Sequence, residues 1–108
     1  MPAKPRPWHS DLENALAQAN FGLPENYELR WVPLPPFDDW IVHVSDNGHD
    51  AAVIVTANQM SLSENLIALL KDNAAGRLMK IIATPEGRAV EDELLEILTS
   101  SSIHLLRY

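Results

Sequence analysis

Two apolar runs, Trp40-Ile-Val-His-Val-Ser45 and Ala51-Ala-Val-Ile-Val-Thr56, flank the tetrapeptide Asp46-Asn-Gly-His49. Nothing else in the chain restricts its fold as strongly. The two central residues of a type I′ turn need positive φ, which Asn and Gly reach at the least cost. Asn47-Gly48 therefore predicts an antiparallel hairpin with Asp46 opposite His49. Carried outward in plain register, Val44 faces Ala51, Val42 faces Val53 and Trp40 faces Val55. Ile41, His43, Ser45, Asp50, Ala52 and Ile54 then share the other face.

Elements gather around this hairpin. Tyr27-Glu-Leu-Arg-Trp-Val32 alternates apolar and charged residues, the pattern of a half-buried strand. Pro33-Leu-Pro-Pro-Phe-Asp-Asp39 is a loop, since proline donates nothing to a ladder. Ser10-Asp-Leu-Glu13 has the capping-box pattern and opens a first helix, with Leu12, Ala15, Leu16 and Ala19 as its apolar stripe and Gly22 at its end. The proline-rich stretch before it, residues 1–9, is expected to be an arm, leaving 10–108 as one domain. Ser61-Leu-Ser-Glu64 opens a second helix that stops at Gly76, and Leu78-Met-Lys-Ile-Ile-Ala83 is an apolar strand covered on both faces. Thr84-Pro85 is expected to cap a third helix carrying Val90, Leu94, Ile97 and Leu98, and Ile103–Tyr108 is a last strand. The expected fold is α/β in the order α-β-β-β-α-β-α-β. An antiparallel meander is followed by two parallel crossovers, giving a single mixed sheet of five strands packed by helices.

Composition removes several function classes. The chain has 108 residues and no cysteine, so disulfides, thiolate metal sites and thiol nucleophiles are excluded. Fifteen acidic against eight basic side chains give a net charge of -7, which argues against nucleic acid or an anionic membrane as partner. No apolar run has the length of a membrane span, and Met1–Ser10 lacks the apolar stretch of a signal peptide, so a cytoplasmic location is expected.

His43, Asp46, His49 and Asp50 are metal-ligand types, but the hairpin separates His43 from His49, and no metal site is expected. No Gly-x-Ser-x-Gly elbow or paired carboxylates mark a catalytic centre, and no glycine-rich loop marks a cofactor site. Beyond the carboxyl ends of the parallel strands lies the usual ligand crevice of such sheets. Thr56, Asn58, Gln59, Ser61, Thr84 and Arg88 fall there, a donor-rich set suited to a small anion or a nucleotide. Trp8, Phe37 and Trp40 lie on or beside proline-rich segments, and Leu105 and Tyr108 lie on a strand that is apolar on both faces; these five are the candidates for contact with another protein.

The order helix, three strands, helix, strand resembles the core of the PD-(D/E)XK nuclease fold. That resemblance implies an Asp and then a Glu-x-Lys on the next strand around magnesium. Here the matching strand, Ala51-Ala-Val-Ile-Val-Thr-Ala57, has neither acid nor lysine, so what it implies is a fold relative without the metal site. Leu12–Leu23, the strands that follow, and Leu66-Ile-Ala-Leu-Leu-Lys-Asp-Asn73 are similar to the small acidic chaperones of type III secretion, which are dimers; those chaperones finish with a helix, whereas this chain is expected to finish with a strand. The leading expectation is a non-catalytic module that binds another protein or a second copy of itself through the sheet edge. A strand-end anion binder and a nuclease-fold relative are the alternatives.

Overall fold

In the computed structural model, which describes residues 7–74 and 76–108, Asn47 and Gly48 both have positive φ, 51° and 81°. They join strand β2 (Trp40–Asp46) to strand β3 (His49–Thr56) with Asp46 opposite His49. Around them run helix α1 (Pro7–Gln18), strand β1 (Glu28–Pro33), helix α2 (Glu64–Asn73), strand β4 (Met79–Thr84), helix α3 (Asp92–Ser100) and strand β5 (Ile103–Arg107). The five strands form one sheet in the order β1-β2-β3-β4-β5. The pairs β1–β2 and β2–β3 are antiparallel, and β3–β4 and β4–β5 are parallel. The fold is the expected mixed α/β sheet.

Two apolar layers hold the helices to the sheet. On one face Leu66, Ile67 and Leu70 of α2 and Leu98 of α3 pack on Ile41, Val53, Val55, Ile82 and Ile103. On the other face Leu12 and Leu16 of α1 pack on Val42, Val44, Ile54, Ile81 and Leu106. The central strand β3 is buried from Ala52 to Thr56, as its unbroken apolar run requires. Burial of that kind contributes roughly 1.5–3 kcal/mol for each large aliphatic side chain.

Five local expectations are corrected. The hairpin does not keep plain register: a bulge between Val44 and Ser45 leaves Ala51 as the extra residue, so Val44 opposes Ala52, Val42 opposes Ile54 and Ile41 opposes Val55. The extra residue turns β3 over relative to β2, and both strands still present apolar side chains to both layers. Helix α1 begins at Pro7, inside the expected arm; residues 1–6 of that arm lie outside the described residues. Proline suits a first helical position because its missing N–H would have no partner there. The Ser10 hydroxyl donates back to the Pro7 carbonyl, at 3.0 Å, instead of capping. Ser61 likewise precedes the helix it was expected to cap, and α2 takes Ser63 as N-cap without a side-chain bond. Thr84 caps nothing: it is the last residue of β4, opposite Arg107, and α3 starts only at Asp92, after Val90. Pairing with β5 holds Thr84 extended, and a turn closed by the Arg88 N–H on the Pro85 carbonyl, at 3.0 Å, takes up the chain instead.

Candidate functional site

The crevice beyond the carboxyl ends of β3 and β4 contains an anion supplied by the chain itself. The Asp39 side chain is fully buried, and its carboxylate faces the segment that leaves β3. One oxygen accepts from the Thr56 hydroxyl at 2.6 Å and from the Asn58 N–H at 2.5 Å; the other accepts from the Gln59 and Met60 N–H groups at 2.8 and 2.7 Å. Thr56 in turn accepts the Trp40 N–H at 2.9 Å, which ties the start of β2 to the end of β3. Successive amides converging on one carboxylate form an anion-binding nest. Such charge-assisted bonds are about twice as strong as neutral ones.

Arg88 secures the same segment from the opposite side. Its guanidinium donates to the carbonyls of Ala57, Asn58 (2.7 Å) and Met60 (3.1 Å). The segment therefore has the N–H groups of Asn58, Gln59 and Met60 on a carboxylate and the C=O groups of Ala57, Asn58 and Met60 on a guanidinium, while the Ala57 N–H donates to the Ala83 carbonyl at 2.7 Å. Asn58 extends the network: its side-chain amide donates to the Asp38 carbonyl at 3.2 Å, and its side-chain oxygen accepts the Tyr108 hydroxyl at 3.1 Å. Burial first, and then the nearby Asp39 charge, push the Tyr108 hydroxyl well above its ordinary pKa. It stays protonated and donates.

Aromatic rings close the top of the crevice. The Trp8 indole N–H donates to the Asp38 carboxylate at 2.9 Å, and its ring stacks on Tyr108 with centroids 5.3 Å apart. His9 stacks on Trp31 at 3.9 Å and meets Trp40 edge-on at 4.7 Å. Trp40 is thus a core residue, 5% exposed, and not a partner-facing anchor. Trp8 and Tyr108 are half-buried and engaged with each other, and Leu105 is half-buried against the α2–α3 layer. Phe37 is different: at 49% exposure it is the one exposed large hydrophobic side chain among the described residues.

Of the residues assigned to the crevice, Thr56, Asn58, Gln59 and Arg88 do meet there. Ser61 is exposed at its rim, and Thr84 is fully buried with its hydroxyl unpartnered. Asp39 was missed. Its signal in the sequence was an acidic residue, the second of the pair Asp38-Asp39, directly before a buried strand, a position where a carboxylate needs donors that only distant parts of the chain can supply.

The hairpin histidine sits apart from this network. His43 lies opposite Arg30 and Val53, its Nδ1 buried without a partner. Burial chiefly, and Arg30 next, hold its pKa below the ordinary 6.5 against the opposing pull of Asp50. Among the described residues no group of three or more His, Asp or Glu side chains is placed to hold a metal ion, and no helix is long and apolar enough to cross a membrane. No protein-family model matches this chain, nor does any curated protein or solved structure match it significantly.

Proposed function

We propose that this chain is a protein-binding module whose first partner is a second copy of itself, paired strand to strand along β5. The observation that supports this is the open side of that strand. β5 is last in the sheet order, so among the described residues it pairs with β4 alone. The Tyr108 N–H donates to Thr84 and the Tyr108 carbonyl accepts from Glu86. Both groups of one residue point to the same side of a strand, and the side alternates along it. The backbone groups of His104 and Leu106 therefore face β4, and those of Ile103, Leu105 and Arg107 face outward.

The other edge is blunted in the usual way: β1 exposes Glu28 and Arg30 and ends in Pro33. The only charge on β5 is Arg107, and its guanidinium is turned back onto the Arg88 carbonyl at 2.9 Å. It does not guard the edge. Antiparallel pairing of two copies about Leu105 would satisfy the outward groups and give a closed two-fold assembly. Sedimentation equilibrium tests the proposal. A concentration-dependent dimer is expected, and Leu105→Lys should weaken it by placing two like charges opposite each other, with thermal melts confirming that the variant folds. A chain that stays monomeric at high micromolar concentration would refute this reading.

A further inference from the structure

The layer over the α1 face of the sheet is incomplete on the β1 side. Two helices cover one face, whereas α1 alone covers the other. Helix α1 leans toward β5: it packs beside that strand, and Phe21, just past the helix, meets His104 with ring centroids 5.1 Å apart. The chain must then cross beneath the sheet to enter β1 at the far edge, a span of roughly 19 Å at about 4.8 Å per strand. Between α1 and β1 this crossing leaves a groove of about 840 Å³. Its floor is formed by Leu29 and Trp31 on the inner face of β1 and by Tyr27 just before the strand, all of them only half-buried.

The walls select the occupant. Glu13, Leu16 and Ala17 form one stripe of α1 along the groove at positions i, i+3 and i+4, and Asn20, just past the helix end, continues the wall. Ala17 is exposed at the middle of that stripe, and a small side chain there lets a second helix approach to the 8–10 Å typical of packed helices. Glu13 and the exposed Glu25 are the charged residues lining the groove, with no lysine or arginine among them. The carboxyl end of α1, where helix carbonyls carry partial negative charge, opens onto the same space. The net charge of -7 makes the rest of the molecule a poor source of the complementary cation. We infer that the groove takes a basic amphipathic helix from another protein, laid beside α1. Its apolar stripe would rest on Tyr27, Leu29 and Trp31, and its lysine or arginine flank would face Glu13 and Glu25. The floor from Tyr27 to Trp31 accommodates a helix of about nine residues, at ~3.3 Å per strand residue against 1.5 Å per helical one.

The experiment titrates the isotope-labelled full chain with a synthetic 14-residue helical peptide bearing a leucine stripe and a lysine flank. A scrambled peptide of the same composition, and a version with glutamate in place of lysine, serve as comparisons. Saturable binding of the striped lysine peptide is expected, with amide shifts confined to residues 13–31 and the Trp31 indole. Ala17→Arg, at an exposed helical position where the fold tolerates it, should weaken binding at least tenfold with an unchanged melt. The pair Glu13→Lys and Glu25→Lys should reverse the preference toward the glutamate peptide. Equal binding of the scrambled peptide, shifts on the α2–α3 face, indifference to Ala17→Arg, or no binding would each overturn the inference. The dimer along β5 is read by sedimentation without peptide, so the two proposals stand or fall separately.

Discussion

A single carboxylate decides how β2, β3 and the following turn fit together. Asp39 accepts three backbone N–H groups and one hydroxyl, and removing it strands the buried Thr56 hydroxyl together with three part-buried amides. Asp39→Ala should therefore destabilise by about 3 kcal/mol or more, since each unsatisfied buried donor costs roughly 1–3 kcal/mol and relaxation recovers part of that. Urea denaturation measures it. Asp39→Asn should help little, because its amide group would point N–H at N–H. The emptied nest has the size of a carboxylate, so tens of millimolar formate should raise the melting temperature of Asp39→Ala and leave that of the native chain unchanged. No rescue by formate would show that the amides do not form an anion site without the tether. His43 supplies a second test at this scale. Its pKa is lowered in the folded chain, so below the ordinary value of 6.5 the unfolded chain binds more protons and the native state loses stability. That contribution is present above pH 6.5 and fades as the pH falls from 6.5 toward the lowered folded value. His43→Leu should show a smaller loss of melting temperature between pH 7.5 and 5.5 than the native chain. An equal loss would assign the pH dependence to other groups.

At the level of elements, the turn, the order of helices and strands and the mix of antiparallel and parallel connections were legible because they rest on local chemistry: Asn47-Gly48, the alternation of Tyr27–Val32, and the unbroken apolar runs of β3 and β4. The bulge was not. From Ala51 to Val55 every side chain is apolar, so a slip of one residue exchanges one buried face for another and leaves no trace in the periodicity. The capping patterns misled for a related reason. Ser10 and Thr84 carry the right side chains, but a proline three residues before Ser10, Pro7, and a pairing distant in sequence, Thr84 with Arg107, set the true helix starts. The crevice was half legible: Thr56, Asn58, Gln59 and Arg88 were placed correctly by strand topology, while Asp39, which fills it, comes from a loop whose path no local rule predicts. The turn itself yields a clean prediction. Gly48 has φ +81°, and a Cβ there would touch nothing within 4 Å, so a substitution meets strain in the backbone alone. Gly48→Val should cost about 1–2 kcal/mol in chemical denaturation, the penalty of a β-branched residue in the left-handed region. A neutral result would mean that the turn relaxes to another type and that the Asp46–His49 pairing is not fixed by it.

For the molecule as a whole, the two proposed surfaces lie at opposite edges of one sheet and carry opposite electrostatic signatures. Each protomer bears a net charge of -7, so bringing two together along β5 sets like against like. The strand itself adds no compensating ion pair, because Arg107 is held by the carbonyl of Arg88. Association must then be driven by backbone pairing and apolar burial, which salt does not screen, against a repulsion which it does. Raising sodium chloride from 20 to 300 mM shortens the Debye length from roughly 20 Å to below 6 Å, and the dimer should tighten several-fold over that range. The groove beside α1 behaves in the opposite sense. Attraction between Glu13 and Glu25 and a lysine flank is weakened by the same salt, so the striped peptide should bind several-fold less tightly at 300 mM than at 20 mM. Sedimentation and peptide titration on one preparation, at the same two salt concentrations, separate these cases. A dimer that loosens with salt would point to an ion-paired interface in place of the β5 edge. Peptide binding that ignores salt would leave the apolar floor of Tyr27, Leu29 and Trp31 as the whole attraction and remove the acidic rim from the recognition.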